Sequence, residues 1–430
     1  MDEPRASSPL GETPAFPLSR MPETRSVGAV PQALYPMIAI PIAMLGLMVA
    51  LLAPMLVTIA LRLNELEPQN VAGNFSLVLG ISALFAFVAN PIGGRLSDRS
   101  MSRFGMRKIW IVIGSGIGYA GIIATGLAPN VVGVVAGFSL AQVGFNFALA
   151  ALIAMLPDQV RSSRRGRVAS FVSLSQNFGS VVATFLVQLI PAGLTQSLLP
   201  SAIGLALMFA FVLPMKDKVR AERSPEAFGV KVLFMSFVFN PRKYPDLGWA
   251  WLTRFLMIAA GTAGGSYLPL FLIDHLGVSE AETPNLVFQA TLANGVGVIV
   301  MTVLLGWLSD KLGRRKPFVI LSAIAVVIGL VLMAFANDFS QLLVSQVVLG
   351  AGLGAFLAVE LALISDILPS AEDTAKDLGV VNIAQALPQS LVPAGAPVLI
   401  NAFGYPGLFL GGALLGALGA LTITRVKSAR

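Results

Sequence analysis

The chain alternates between long runs without a charge and short basic interruptions. Ile38 to Ala60 and Phe318 to Ala336 hold no Asp, Glu, Lys or Arg. Each is long enough to cross a hydrocarbon core, which takes roughly 20 helical residues. A backbone in hydrocarbon has no water to bond, so a helix is the expected form of every such run. Reading each apolar run against the polar signals beside it predicts twelve spans: 36–62, 71–93, 109–128, 131–156, 168–190, 196–214, 247–273, 286–308, 318–336, 340–366, 377–400 and 405–424. A polar segment from Lys216 to Asp246, with Pro225, Pro241 and Pro245, divides them into two sets of six. Its middle, Phe228 to Phe239, is apolar apart from Lys231 and Ser236 and is expected to lie along a membrane surface. Residues 1–33 contain Pro4, Pro9, Pro14, Pro17, Pro22 and Pro31 and read as a disordered tail, not a signal peptide. The expected organisation is therefore a tail (1–33), a six-helix half (34–214), a central loop (215–246), a second six-helix half (247–425) and a short end (426–430).

Composition agrees with this division. Apolar residues make up 56% and charged residues 12%, against about a quarter charged in soluble domains. The net charge of +7 would suit nucleic acid, but its distribution gives it another source. Of the 29 Lys and Arg, 27 lie in the two termini and in the loops after spans two, four, six, eight and ten; Arg62 and Arg254 are the others. Positive charge on alternate loops fixes topology and places both termini in the cytoplasm, with a plasma (inner) membrane the expected site. There is no cysteine and a single histidine, His275. Disulfides and thiolate sites are thereby excluded, and a His-based metal site is not expected. A membrane enzyme would need clustered His, Cys or carboxylates, and the spans offer one Glu, so neither catalysis nor a cofactor is expected. No Gly-x-x-x-x-Gly-Lys-Ser/Thr loop occurs, so the energy source should be a gradient.

One interruption occurs twice. Gly93-Gly-Arg-Leu-Ser-Asp98 opens a basic stretch that ends at Lys108, and Gly306-Trp-Leu-Ser-Asp310 opens another that ends at Pro317. Gly94 and Gly306, like Asp98 and Asp310, are 212 residues apart, close to half the chain. Met155-Leu-Pro157 and Ile367-Leu-Pro369 repeat that spacing. Two halves in the same orientation are a known plan for secondary transporters.

The repeated loop resembles that of the major facilitator superfamily, Gly-x-Leu-x-Asp-Arg-x-Gly-Arg-Arg between spans two and three. The copy at 306–315 follows it closely, whereas the first copy has four more residues between Asp98 and Gly105. That longer form is similar to the loops of melibiose-type glycoside-cation symporters and sucrose-proton symporters. The resemblance implies an all-α membrane protein with twelve transmembrane helices in two six-helix halves. It also implies a gating loop built from Gly94, Asp98, Arg99, Arg107, Gly306, Asp310 and Arg314, with Gly94 letting the backbones approach. Asp98 would meet the N-terminal end of span eleven, where a carboxylate favours the helix dipole. Three departures narrow the reading. Spans two and four lack the carboxylates of a sodium site, span four has Gln142 where proton-coupled members often carry an Arg, and span five lacks the Gly-Pro signature of drug-proton antiporters.

Polar groups at mid-depth should face a cavity or another helix. Span five carries Ser173, Gln176, Asn177 and Ser180 on one face, and span eleven carries Asn382, Gln385 and Gln389. Span four adds Gln142 and Asn146, and span eight adds Gln289 and Asn294. These amides suit an uncharged, hydroxyl-rich solute, and helix-to-helix hydrogen bonding is the competing use for them. Two charges lie well inside the spans, Arg254 and Glu360. Their depths match, so they are able to pair, either as a structural ion pair or as a site where Glu360 carries the coupling proton. The expected protein is a monomeric secondary transporter of a small polar solute, a sugar or glycoside first, coupled to H+. Proton-driven efflux and a lipid-flippase-like member are the alternatives.

Overall fold

The computed structural model describes residues 34–217, 219, 245–367 and 374–426, and among them there are helices and short connections but no strand. In order they are α1 (Tyr35–Leu66), α2 (Val71–Arg99), α3 (Lys108–Leu127), α4 (Val131–Gln159), α5 (Ser162–Leu189), α6 (Leu194–Val212), α7 (Pro245–His275), α8 (Thr283–Leu312), α9 (Lys316–Ala334) and α10 (Phe339–Ile367). The last helical run, Thr374–Ile423, has 50 residues. At 1.5 Å per residue it would be about 75 Å long, more than twice a hydrocarbon core. Gly404 interrupts it with φ 69° and ψ −171°, giving α11 (374–403) and α12 (405–423) and completing twelve spans. The surface helix expected at 228–239 lies outside the described residues.

The helices outrun the apolar stretches that announce them. Span two is read as ending near residue 93, but α2 continues to Arg99, α8 continues to Leu312 and α5 starts at Ser162. Gly93 to Arg99 is therefore the last part of a helix and not a loop. Hydropathy marks where the hydrocarbon ends; beyond it charged side chains are solvated while the helix still satisfies its own backbone. Capping sets some true ends. Asn130 accepts the Gly133 N–H at 2.9 Å at the start of α4, and Asp338 accepts the Gln341 N–H at 2.9 Å at the start of α10.

Within the first half α1 packs on α5 and α6, and α4 packs on α2 and α3; in the second half α10 packs on α8 and α9, and α7 packs on the α11–α12 run. The duplicated crossings rest on small residues. A Cβ on Gly144 of α4 would run into the α3 backbone at Gly118, and a Cβ on Gly352 of α10 would come within 2.6 Å of the α9 backbone nitrogen of Val326. Those two positions lie 208 residues apart, as do the caps Asn130 and Asp338. The four extra residues before Gly105 shift the register, so the 212 spacing holds for α2 and α8 but not for α4 and α10. The match of Met155–Pro157 to Ile367–Pro369 is thus not a structural equivalence: α4 ends at Gln159 where α10 ends at Ile367.

Two buried apolar clusters show how the halves meet. One runs through the first half and continues into the second through Ala263, Tyr267, Phe271, Val287, Met333, Tyr405 and Phe409, all near the end away from the basic loops. The other, with Met257, Phe318, Val326, Phe356, Val359 and Leu363 among its members, holds only residues of the second half, toward its basic end. Among the described residues the halves share one apolar core at one end and keep separate cores at the other. Between them, α2 packs on α11 and α5 on α8.

Candidate functional site

At the basic end the repeated turn is organised on a buried arginine. Arg107 is 6% exposed. Its guanidinium lies 2.5 Å from the Asp98 carboxylate and 3.0 Å from that of Asp158, and it donates to Ser97 Oγ at 2.7 Å. One oxygen of Asp217 accepts the backbone N–H groups of Arg107 and Lys108 at 2.7 and 2.8 Å. A carboxylate on the first N–H groups of α3 satisfies donors that have no partner inside the helix and favours its dipole. Gly105 makes that approach possible. Its φ is 107°, and a Cβ there would land on the Asp217 carboxylate. Asp158 and Asp217 are functional candidates that sequence reasoning missed. Their only signal is an acidic residue beside a basic loop, and their partners are 51 and 110 residues away.

The second copy keeps part of this arrangement. Arg315 donates to Ser309 Oγ at 3.1 Å, and both Arg107 and Arg315 stand at the helix start with φ −95° and ψ −45°. The equivalent of Arg107 is therefore Arg315 and not Arg314, whose backbone carbonyl accepts from Ser309 at 3.3 Å. The side chain of Asp310 and those of the first turns of α11 lie outside the described residues, and the contact expected between Asp98 and α11 falls there. Gly94 and Gly306 are not the close-approach glycines. A Cβ on either would make an ordinary contact, 3.9 Å to Ala150 and 3.7 Å to Ala358, whereas one on Gly93 would come 2.8 Å from the Phe147 backbone. Arg99 is half-buried at the end of α2.

The interior amides divide between two uses. Gln142 and Asn146 are buried and bond each other at 3.1 Å, and Asn90 of α2, unforeseen from the sequence, donates to Asn146 at 3.3 Å. In the second half Asn294 donates to the backbone carbonyl and side chain of Gln346 on α10, each at 3.2 Å. Gln346 is another residue that periodicity did not single out. Gln289 stays near the start of α8 with Asn285, 3.3 Å away. These are ties between or along helices. Gln176 and Asn177 differ: both are exposed, with Asn177 donating to the Ser173 carbonyl at 3.1 Å. Phe171, Leu174 and Phe178 are exposed on the other side of α5. One face of α5 is polar and the opposite one oily, as a helix between a water-filled space and lipid requires.

Arg254 and Glu360 meet. Arg254 lies nine residues into α7 and Glu360 seven from the end of α10, so each is roughly 10–14 Å from the basic end. One terminal nitrogen of Arg254 donates to Glu360 and the other to Gln385 of α11 at 3.0 Å. Gln389 donates back along α11 to the Gln385 carbonyl at 3.3 Å; the side chain of Asn382 lies outside the described residues. Both charged side chains are more than nine-tenths buried. Arg254 Nε and Glu360 Oε1 are nevertheless left with no hydrogen-bond partner. In the register of α4 and α10, Glu360 corresponds to Leu152, which is fully buried, and among the described residues the first half carries no such pair.

At the other end, polar and ring contacts tie the halves. Tyr267 of α7 is fully buried, shares a 2.5 Å hydrogen bond with Ser76 of α2 and meets Phe75 edge-on at 5.5 Å. Asn64 donates to Glu280, and Phe185 of α5 lies 5.4 Å from Phe288 of α8. Asp274 and His275 are surface-exposed but engaged: Asp274 accepts from Tyr405 at 2.5 Å, and His275 stacks on Phe271.

The sequence profile of the Major Facilitator Superfamily matches residues 38–293 and 283–429. The chain is 26% identical over 298 residues to the uncharacterized MFS-type transporter YuxJ of Bacillus subtilis, covering 65% of this chain and 69% of that one. It is 27% identical over 311 residues to the multidrug resistance protein MdtG of Yersinia enterocolitica, covering 69% and 72%. Among solved structures, a D-xylose-proton symporter superposes with a TM-score of 0.66 at 17% identity, over 91% of this chain and 97% of that one. With twelve helices in two halves, the duplicated turn and a profile match across nearly the whole described chain, this protein belongs to the Major Facilitator Superfamily and is a multi-pass membrane transporter.

Proposed function

We propose that the chain carries a small polar organic solute, a sugar or glycoside-like molecule, across the plasma membrane by proton symport, as a monomer with both termini in the cytoplasm. The observation that carries this reading is the buried Arg254–Glu360 pair, with a carboxylate oxygen left unbonded on the side chain best suited to take a proton. A buried carboxylate keeps its charge only while its cation stays close. Protonation loosens the pair, and Gln385 passes that change to α11, which packs against the other half. The exposed Gln176 and Asn177 on α5, and Gln385 and Gln389 on α11, offer donors and acceptors for hydroxyl groups.

In this reading the molecule is open toward the cytoplasm, since among the described residues the halves share a core only at the opposite end. Transport then alternates between two closures. Breaking the Ser76–Tyr267 tie opens the outer end, and docking the Asp98 turn on α11 closes the inner one. The structural likeness to a D-xylose-proton symporter and a 29% match over 143 residues to the minor myo-inositol transporter IolF of Bacillus subtilis support a hydroxylated solute. The match to MdtG keeps proton-driven efflux as the second reading.

The test is Glu360→Gln in energised membrane vesicles. Loss of accumulation against a gradient, with downhill exchange retained, is expected; continued accumulation by the variant would remove Glu360 from proton coupling.

A further inference from the structure

We infer that the solute carries an acidic group, a hydroxylated carboxylate such as a sugar acid, and that Arg254 receives it when Glu360 takes up its proton. This rests on the proton-symport reading above and deepens it.

The argument is one of charge balance in a buried place. Arg254 supplies a guanidinium, a donor-only cation. Among the described residues, the charged group that pairs with it is Glu360. The elements packed around the pair, α8, α9, α11 and α12, carry charges only at their basic ends, at Asp310, Lys311, Lys316, Lys376 and Asp377, and α12 carries none. Gln385 supplies a neutral oxygen. When Glu360 is ionised, the positive and negative charges cancel. When Glu360 is neutral, a cation stands more than nine-tenths buried with no counter-charge, an arrangement that breaking a buried ion pair makes costly.

A neutral sugar leaves that cost in place. An anion removes it, since a carboxylate is matched by the flat, forked guanidinium. Proton uptake and anion binding therefore favour each other, which is the condition for symport. The atoms left unpartnered fit the exchange: Arg254 Nε is a buried donor without an acceptor, and it remains available beside the nitrogen that protonation of Glu360 releases. The same solute needs hydroxyl groups for Gln176, Asn177 and Gln389, which lie on the faces of α5 and α11 and bear no charge. One proton and one monoanion enter together, so the step moves no net charge.

Two measurements test this. In the first, D-gluconate, D-glucuronate and D-xylose are titrated into purified Glu360→Gln protein, whose neutral side chain stands in for the protonated acid. The variant should bind at least one sugar acid roughly tenfold tighter than wild type does at neutral pH. Arg254→Gln in the same background should abolish that gain. Tighter binding of xylose with no gain for either acid overturns the inference, as does absence of acid binding. The second uses wild-type proteoliposomes, so it holds even if the variants fail to fold. Sugar-acid uptake should follow an imposed pH gradient and ignore an interior-negative potential. Xylose uptake driven by the potential would refute the anion and keep proton symport; uptake that ignores both gradients would refute both readings.

Discussion

At the end of α2 three carboxylates and a serine converge on the start of α3: Asp98, Asp158 and Ser97 on the Arg107 side chain, Asp217 on its backbone. At the matching end of α8, Arg315 keeps the serine bond to Ser309. Inside the membrane the contrast reverses. The second half holds Arg254, Glu360 and Gln385 together, while Leu152 fills the place of Glu360 in the first. One duplicated frame thus braces its first half at the surface and charges its second half in the interior. A clamp near water tolerates three carboxylates because solvent and headgroups screen them. A buried site tolerates charges only as a matched pair, which makes it responsive to one proton.

The hardest blow to this contrast is removal of one member of the buried pair. Arg254→Ala should cost about 3–5 kcal/mol by stranding Glu360, read as a fall in the thermal midpoint of the purified protein. The double change Arg254→Met with Glu360→Leu should recover most of that stability and still transport nothing by proton coupling. Arg107→Ala, whose partner Asp98 is 55% exposed, should cost less, roughly 1–2 kcal/mol. Equal losses at the two sites would end the distinction between brace and interior charge.

Smaller effects sharpen it. Tyr267→Phe deletes the Ser76 bond and should shift the balance toward the outward-open form by about 1 kcal/mol, near fivefold. Because the chain has no cysteine, a single one placed at the outer or inner face reports this by its labelling rate without other substitutions. Unchanged labelling at both faces would remove Tyr267 from the gate. The mildest change is Gly94→Ala, expected to leave insertion and turnover nearly intact, whereas Gly93→Val should impair both by pushing α2 off Phe147. Asp98→Asn should insert normally and transport slowly; normal turnover would reduce the turn to a topology signal.

The order of spans, the duplication and the sidedness of charge were legible in the sequence, because hydrocarbon enforces long apolar helices and headgroups collect Lys and Arg along the chain itself. Arg254 and Glu360 stood out for the same reason, as charges where charge is expensive. Other things were decided only in three dimensions. Hydropathy ended α2 too early, since a helix leaves the hydrocarbon before it ends. A count of 212 residues aligned α4 with α10 wrongly, since a four-residue insertion changes register without changing the packing of Gly144 and Gly352. Asp217, Asp158, Asn90 and Gln346 act through partners dozens of residues away. Sequence alone thus determined how many times the chain crosses, a matter of solvent. Tertiary structure decided which buried polar groups satisfy one another, and which atoms of Arg254 and Glu360 remain for a proton and a solute, a matter of contact.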